Sequence, residues 1–373
     1  MSAVKIGFYG HVRQYHNLKA EIDKAINDVL ESGSFVMGPV LAQFEKELAA
    51  YCSMKEAAGV NSGTDALWLA LVAWGIGPGD EVITTSNTFF ATAEAVWLAG
   101  ATPVFVDIDP ATCNIDTGLI EAAISPRTKA IIPVHLYGQC AKMRDVARIA
   151  KAHSLRVLED NAQALGARGD DFAIGELSDA VATSFIIQKN LGCFGDGGAL
   201  VSNDPALVAQ VRKLRNHGSV KRSHHSVGYN SRLDEIHAAV LSVKLQQLDR
   251  WNDQRRSIAK MYDEGLKDTS LKLPVALPGY RHIYHLYVVE TPGRDMLQAY
   301  LQERGVTALT HYPIAIHQQE GYPWGHSARI CGSLKHTERS AAQVLSLPMY
   351  PELTAEEARI TIEAIRDWDK SPK

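Results

Sequence analysis

Lys189 stands in the run Ser184-Phe185-Ile186-Ile187-Gln188-Lys189-Asn190-Leu191-Gly192, followed closely by Gly195-Asp196-Gly197-Gly198-Ala199. A primary amine framed by a hydroxyl on one side and glycines on the other is a candidate carbonyl nucleophile, because amines form imines readily with an aldehyde. An ordinary solvated charge is the plainer alternative, since Lys is seldom fully buried without a partner. Upstream, Val157-Leu158-Glu159-Asp160-Asn161-Ala162-Gln163 places a carboxylate directly after the run Leu155 to Leu158, in which Arg156 is the one non-apolar residue. The run reads as a short buried strand, so Asp160 falls at a strand's carboxyl end, the edge where open α/β sheets bind ligands. An acid there could pair with a ring nitrogen, or it could merely cap the next turn. Gln163 could bond a ring oxygen or be a surface amide.

A third piece is Val60-Asn61-Ser62-Gly63-Thr64-Asp65-Ala66-Leu67. Apolar residues follow at 67 and 69–72, so a buried helix starts near Thr64. Free N–H groups and the helix dipole make such a start an anion site, although a simple N-cap is the common use of Ser or Thr there. Ser184 could give a second hydroxyl to the same anion. Amine, acid and anion site are the set that pyridoxal 5'-phosphate (PLP) requires, with the protonated ring acting as electron sink.

These groups need a scaffold that brings them together. The spacing predicts an amphipathic helix over 13–32, with Leu18, Ile22, Ile26, Val29 and Leu30 on one face, and a second helix over 40–51. Strands are predicted near 82–85, 103–107, 129–134, 155–159, 181–185 and 198–202, alternating with helical segments, which argues for a mostly parallel sheet. Gly75-Ile76-Gly77-Pro78-Gly79-Asp80 precedes a strand rather than following one, so it reads as a turn and not as a dinucleotide loop. From about 240 a long helix leads through Leu245, Leu248 and Trp251. Residues 284–289 read as a strand, and 354–369 as a closing helix capped by Thr354, with Glu356 and Glu357 in its first turn.

The ordered motifs give the chain a resemblance over nearly its whole length to the DegT/DnrJ/StrS family of nucleotide-sugar aminotransferases. Its landmarks are Ser62 to Leu67, Gly77 to Val82, Asn87-Thr88-Phe89 with Ala91-Thr92, and Glu159 to Gln163. Later ones are Lys189 to Gly192, Gly195 to Gly198, Gly228-Tyr229-Asn230-Ser231-Arg232-Leu233 and His311-Tyr312-Pro313. The resemblance implies an α/β, fold-type-I PLP-dependent transferase. A large domain (1–245) would carry a mostly parallel central sheet flanked by helices, and its N-terminal helix would pack toward a smaller α+β C-terminal domain (246–373). It implies that Lys189 holds PLP as a Schiff base and later shuttles the proton, that Asp160 pairs with the pyridine nitrogen, and that Gln163 sits by the ring. Phe89 would stack on the ring's face, with plain core packing as its alternative. Gly63, Thr64 and Ser184 would hold the phosphate, joined by Asn230 from the partner subunit of a homodimer with active sites at the interface. His311, Tyr312 and His317 would line the substrate side. Arg232 and Lys221 could contact a diphosphate or remain solvated.

The implied reaction takes an amino group from an amino acid, L-glutamate, and delivers it to a keto-sugar nucleotide. Leu214 to Gly218 and Asn252 to Ile258 resemble enzymes acting at a 3-keto rather than a 4-keto group. Ile186-Ile187-Gln188 departs from the family's habit just before the lysine, and His237 stands where glutamine is usual, so a less polar acceptor is open. A PLP-dependent sugar dehydratase shares the fold, but Lys189 and the scattered cysteines count against it. A non-catalytic regulatory protein would have no use for lysine, aspartate and phosphate loop together. An amino-acid aminotransferase would want an arginine clamp that the sequence does not single out.

Composition agrees. The 373 residues are 46% hydrophobic, enough for a large core, and the net charge of -4 implies no broad basic face for nucleic acid. Five cysteines and fourteen histidines lack metal-site spacing, so no metal is expected. No leader-like or membrane-spanning stretch is evident, and the unpatterned cysteines fit a reducing compartment, so a soluble cytoplasmic protein is expected.

Overall fold

A computed structural model describes residues 5–321 and 328–371. Seven strands form in order between residues 56 and 202: β1 Glu56–Val60, β2 Glu81–Thr85, β3 Thr102–Val106, β4 Thr128–Ile131, β5 Arg156–Asp160, β6 Ala180–Ser184 and β7 Gly198–Ser202. A small hairpin of β8 (Ser219–Val220) and β9 (Ser223–His224) follows, then β10 (Tyr287–Glu290), β11 (Arg329–Ile330) and β12 (Val344–Leu347). Eight strands build one sheet in the order β1-β7-β6-β5-β4-β2-β3-β11. It is parallel except at one edge, where β7 runs antiparallel to both β6 and β1. The fold is α/β with a mostly parallel sheet, as the alternating pattern predicts.

Side chains on the strands alternate between two packed layers. Ile83, Val104, Ile131, Val157 and Val181 face a cluster that includes Leu41, Phe44 and Leu48 of the helix Pro39–Tyr51. Val82, Ala130, Leu158, Ala182 and Leu200 face another, with Leu67, Leu69 and Leu71 of the helix Gly63–Ala73. Both faces of the sheet are therefore covered, which is why its strands are apolar throughout rather than in alternation. A third cluster joins Ile6, the helix Leu248–Leu266, the antiparallel pair β10–β12, and the helices Arg294–Glu303 and Ala355–Lys370.

Several expectations shift in detail. The helix expected over 13–32 is two helices, His11–Asn17 and Lys19–Ser32, because Leu18 leaves helical geometry, and Leu30 is exposed rather than on the buried face. The long helix from 240 is likewise two, Glu235–Leu245 and Leu248–Leu266. The strand read from 284 begins at Tyr287, since Tyr284 takes a positive φ. Residues 75–80 do form a turn, with Gly75 and Gly79 at positive φ and the Asp80 carboxylate accepting the Gly77 N–H. Thr354 caps the closing helix in a reciprocal box with Glu357. Strand β1 escaped the sequence reading because Glu-Ala-Ala-Gly-Val has little β preference of its own.

One distant carboxylate fixes the helix Pro39–Tyr51 on the sheet. Glu235, fully buried, accepts the backbone N–H groups of Gly38 (2.7 Å), Val40 (2.9 Å) and Leu41 (3.1 Å). A negative charge at a helix N-terminus meets both its unpaired donors and its dipole. Glu235→Ala should therefore destabilise the protein by roughly 1–3 kcal/mol, read as a lower urea midpoint, because one buried and two part-buried donors lose their acceptor. An unchanged midpoint would contradict this account.

Candidate active site

The antiparallel edge of the sheet builds an anion cradle. Gly198 pairs with Val60 on one side and with Ser184 on the other, so the end of β1, the start of β7 and the end of β6 lie in one row. The chain leaves β1 at Val60 and folds back over that row. A Cβ on Gly198 would come 2.3 Å from the Ser62 carbonyl carbon, and one on Gly63 would come 2.7 Å from the Ser184 Cβ. Two glycines thus let the Ser62–Gly63–Thr64 turn close onto Ser184. The Ser62 hydroxyl caps the helix by accepting from the Asp65 N–H at 3.1 Å, which leaves the N–H groups of Gly63 and Thr64 for the cavity.

Asp160 ends β5 in the middle of the sheet and is almost wholly buried. Its Oδ2 accepts from the Thr92 hydroxyl at 2.8 Å and its Oδ1 from the Ala162 N–H at 3.1 Å. Burial raises its pKa, while these two donors and the Lys189 charge oppose the rise. Lys189 follows β6 in an irregular loop and reaches the same cavity. Burial lowers its pKa to about 8, against the pull of Asp160. Near neutral pH a useful fraction of the amine is therefore unprotonated and nucleophilic.

The cavity holding both groups measures about 390 Å³. Gly63, Thr64, Phe89, Asp160, Gln163, Ser184, Lys189, His311 and Tyr312 all line it, drawn from five separate stretches of sequence. Phe89 is 56% exposed and its ring lies 5.7 Å from that of Tyr312, which sets aside the core-packing alternative. Gln163 is held at both ends: its Oε1 accepts the Tyr137 N–H (2.7 Å) and its Nε2 donates to the Tyr312 hydroxyl (3.0 Å). His311 stacks on Phe8, and its pKa is lowered to about 4, first by burial and then by Lys189.

Of the residues expected in this chain's own site, His317 alone is not among those lining the cavity; Ser86 Oγ (2.8 Å) and Glu338 (3.1 Å) hold its ring. Asn230 is exposed beside Asn216, away from the cavity of its own chain. The wall also includes residues the sequence did not single out as site residues. Thr92 belonged to a landmark motif, but its bond to Asp160 depends on the distance between helix and strand. Tyr9 arrives because Ile6 bonds across to Gly305 and Thr307, far along the chain. His285 was one histidine among many in the second half.

Directly behind Asp160, Glu159 points to the opposite layer. It accepts from Gly175 N–H (2.9 Å) and pairs with His135 Nε2 at 2.6 Å. His135 Nδ1 accepts the Ala141 N–H, so Nε2 carries the proton. No metal-ligand cluster is found among the described residues.

This donor set fits a flat, phosphorylated heterocycle with an aldehyde: an N–H and hydroxyl cradle at one end, a carboxylate deep in the wall, and an amine beside it. Gly63→Ala should displace Ser184 and weaken binding of inorganic phosphate by about tenfold, measured by calorimetry on the cofactor-free protein. Unaltered phosphate affinity would mean the cradle lies elsewhere.

Comparison with known proteins agrees. Residues 16–366 match the model of the DegT/DnrJ/EryC1/StrS aminotransferase family. The chain is 48% identical over 356 residues to the dTDP-3-amino-3,4,6-trideoxy-alpha-D-glucose transaminase of Streptomyces venezuelae, covering 95% of this chain and 93% of that one. It is 47% identical over 360 residues to the pleiotropic regulatory protein of Geobacillus stearothermophilus, covering 95% and 96%. Among solved structures, DesV of S. venezuelae superimposes with a TM-score of 0.96 at 47% identity, covering 99% of this chain and all of that one. The chain therefore belongs to the DegT/DnrJ/EryC1/StrS aminotransferase family, a group of fold-type-I enzymes whose cofactor is pyridoxal phosphate.

Proposed function

We propose that the protein moves an amino group from L-glutamate to a keto carbon of a nucleotide-linked deoxyhexose, at a 3-keto rather than a 4-keto position. The observation that carries this reading is the placement of Lys189 and Asp160 in one cavity beside the Ser62–Thr64 cradle. The transaminase name of the Streptomyces relative, which specifies a 3-amino sugar, supports the position.

Bound PLP supplies an electron sink that stabilises negative charge on the carbon bearing the migrating nitrogen. The chain's own residues do the rest. Gly63, Thr64 and Ser184 would hold the phosphate. Asp160 would keep the ring nitrogen protonated, and Thr92 and the Ala162 N–H hold that carboxylate in place. Phe89 would pack against the ring, and Gln163, braced by Tyr137 and Tyr312, would bond its oxygen. Lys189 takes the proton from the donor's α carbon and returns one to the sugar carbon, which its lowered pKa permits. His311 and Tyr312 face the acceptor.

The homodimer enters this reading through Asn230, whose exposure suits a residue reaching the phosphate of a partner subunit's site. A division near residue 245 into a large and a small domain would place the cleft between them. A cytoplasmic location is supported by five free cysteines, and no described helix is long and apolar enough to cross a membrane. The name of the Geobacillus relative favours a second reading, a regulatory protein on the same scaffold.

An absorbance scan separates the two. The enzyme reading expects a band near roughly 400 nm that moves toward about 330 nm when glutamate is added, and that is absent in Lys189→Ala. A protein that shows no band after incubation with PLP favours the regulator. Because the neutral amine attacks, the rate of PLP loading should rise with pH and level off above about 8; a rate flat from about pH 6 to 9 would exclude the lowered lysine pKa.

A further inference from the structure

One imidazole in the cavity wall has its proton placed by a chain of hydrogen bonds that begins at a backbone carbonyl. Asn252 Nδ2 donates to the Leu165 carbonyl at 3.1 Å, which turns the amide's Oδ1 toward Asn190. That Oδ1 accepts from Asn190 Nδ2 at 2.7 Å, so the Asn190 Oδ1 must face the other way. It lies 3.0 Å from His285 Nδ1. A carbonyl oxygen cannot donate, so Nδ1 carries the proton and Nε2 keeps a bare lone pair.

The seat is tight. Gly166 takes a positive φ, and a Cβ there would come 2.6 Å from Asn252 Nδ2. The relay also ties the residue next to Lys189 to the helix Leu248–Leu266. His285 itself is 6% exposed and lines the same cavity as Lys189. Burial holds its pKa well below the usual histidine value, and the nearby Lys189, Arg255 and His311 push in the same direction. It is thus a neutral acceptor throughout the working pH range.

The Lys189 amine makes no side-chain hydrogen bond among the described residues, and His285 Nε2 is an unoccupied acceptor in the same cavity. We propose that His285 is a positioning residue for Lys189, its Nε2 offering the acceptor that the ε-amine takes by rotating within the cavity, in a tautomer set by the Leu165–Asn252–Asn190 relay. It rests on the assignment of Lys189 as the reactive amine. The bond restrains the amine's rotation, so that its free lone pair is aimed into the cavity each time it is released.

Two measurements on the full chain test this. In protein labelled with 15N-histidine, the His285 signals, identified by their loss in His285→Gln, should show a protonated Nδ1 and bare Nε2, unchanged between about pH 6 and 9. An Nε2–H tautomer, or titration within that range, would overturn the proposal. The second measurement is the pH midpoint of PLP loading. His285→Phe removes an acceptor that stabilises the ammonium, so the midpoint should fall by about one pH unit, while His285→Gln, which keeps a carbonyl oxygen, should hold it. A Phe variant with the wild-type midpoint would sink the contact. Should that variant not fold, His285→Leu gives the same reading, and a wild-type midpoint in it would sink the contact equally. Wild-type protein that takes up no PLP at any pH would instead remove the Lys189 assignment on which the proposal stands.

Discussion

Keeping a lysine amine out of water beside a carboxylate, without letting the two neutralise each other, is the constraint around which this molecule is organised. A direct contact would lock Lys189 as an ammonium and spend Asp160 on it. Instead the carboxylate is satisfied from other directions, by the Thr92 hydroxyl and the Ala162 N–H, and the two groups form no ion pair among the described residues. The charge of Asp160 still reaches the amine, and burial outweighs it. The central strand, the helix Ala91–Leu98 that carries Thr92, and the loop after β6 all have to be placed for that balance to hold.

The second requirement is a place for an anion within reach of the amine. Here the sheet edge does what a purely parallel arrangement would not. Because β7 runs antiparallel between β6 and β1, the ends of β1 and β6 meet across Gly198. The helix that follows β1 then starts over the row, with its free N–H groups beside Ser184. One reversed strand thereby converts three strand termini into a cradle.

Much of this was legible in the chain before its structure. Lys189, Asp160, Ser184, Gly63 and Thr64 each lie in a local pattern with its own chemical meaning, and an apolar strand followed by a polar residue marks the sheet's functional edge. The parallel core strands were legible because burial on both faces demands continuous apolar runs. What stayed hidden depends on contacts between distant segments. Strand β1 is small-residue sequence stabilised by pairing with β7. Tyr9 has no local signal, and the tautomer of His285 needs three residues from three regions. His317 sits close in sequence to His311 and Tyr312, yet a short helical turn directs it to Ser86 instead. Proximity along the chain was a poor guide where the backbone turns.

The closure of the N-terminal segment against the C-terminal half bears on how the protein is made. Ile6 is hydrogen-bonded to residues 305 and 307, and Tyr9 meets the cavity alongside His311 and Tyr312. On a ribosome, the first residues emerge long before their partners exist. The sheet can assemble while synthesis continues, but the cavity stays open on one side until the last third of the chain is released. A nascent chain cut short before that point would keep its lysine and its carboxylate, and would lack the wall that closes over them.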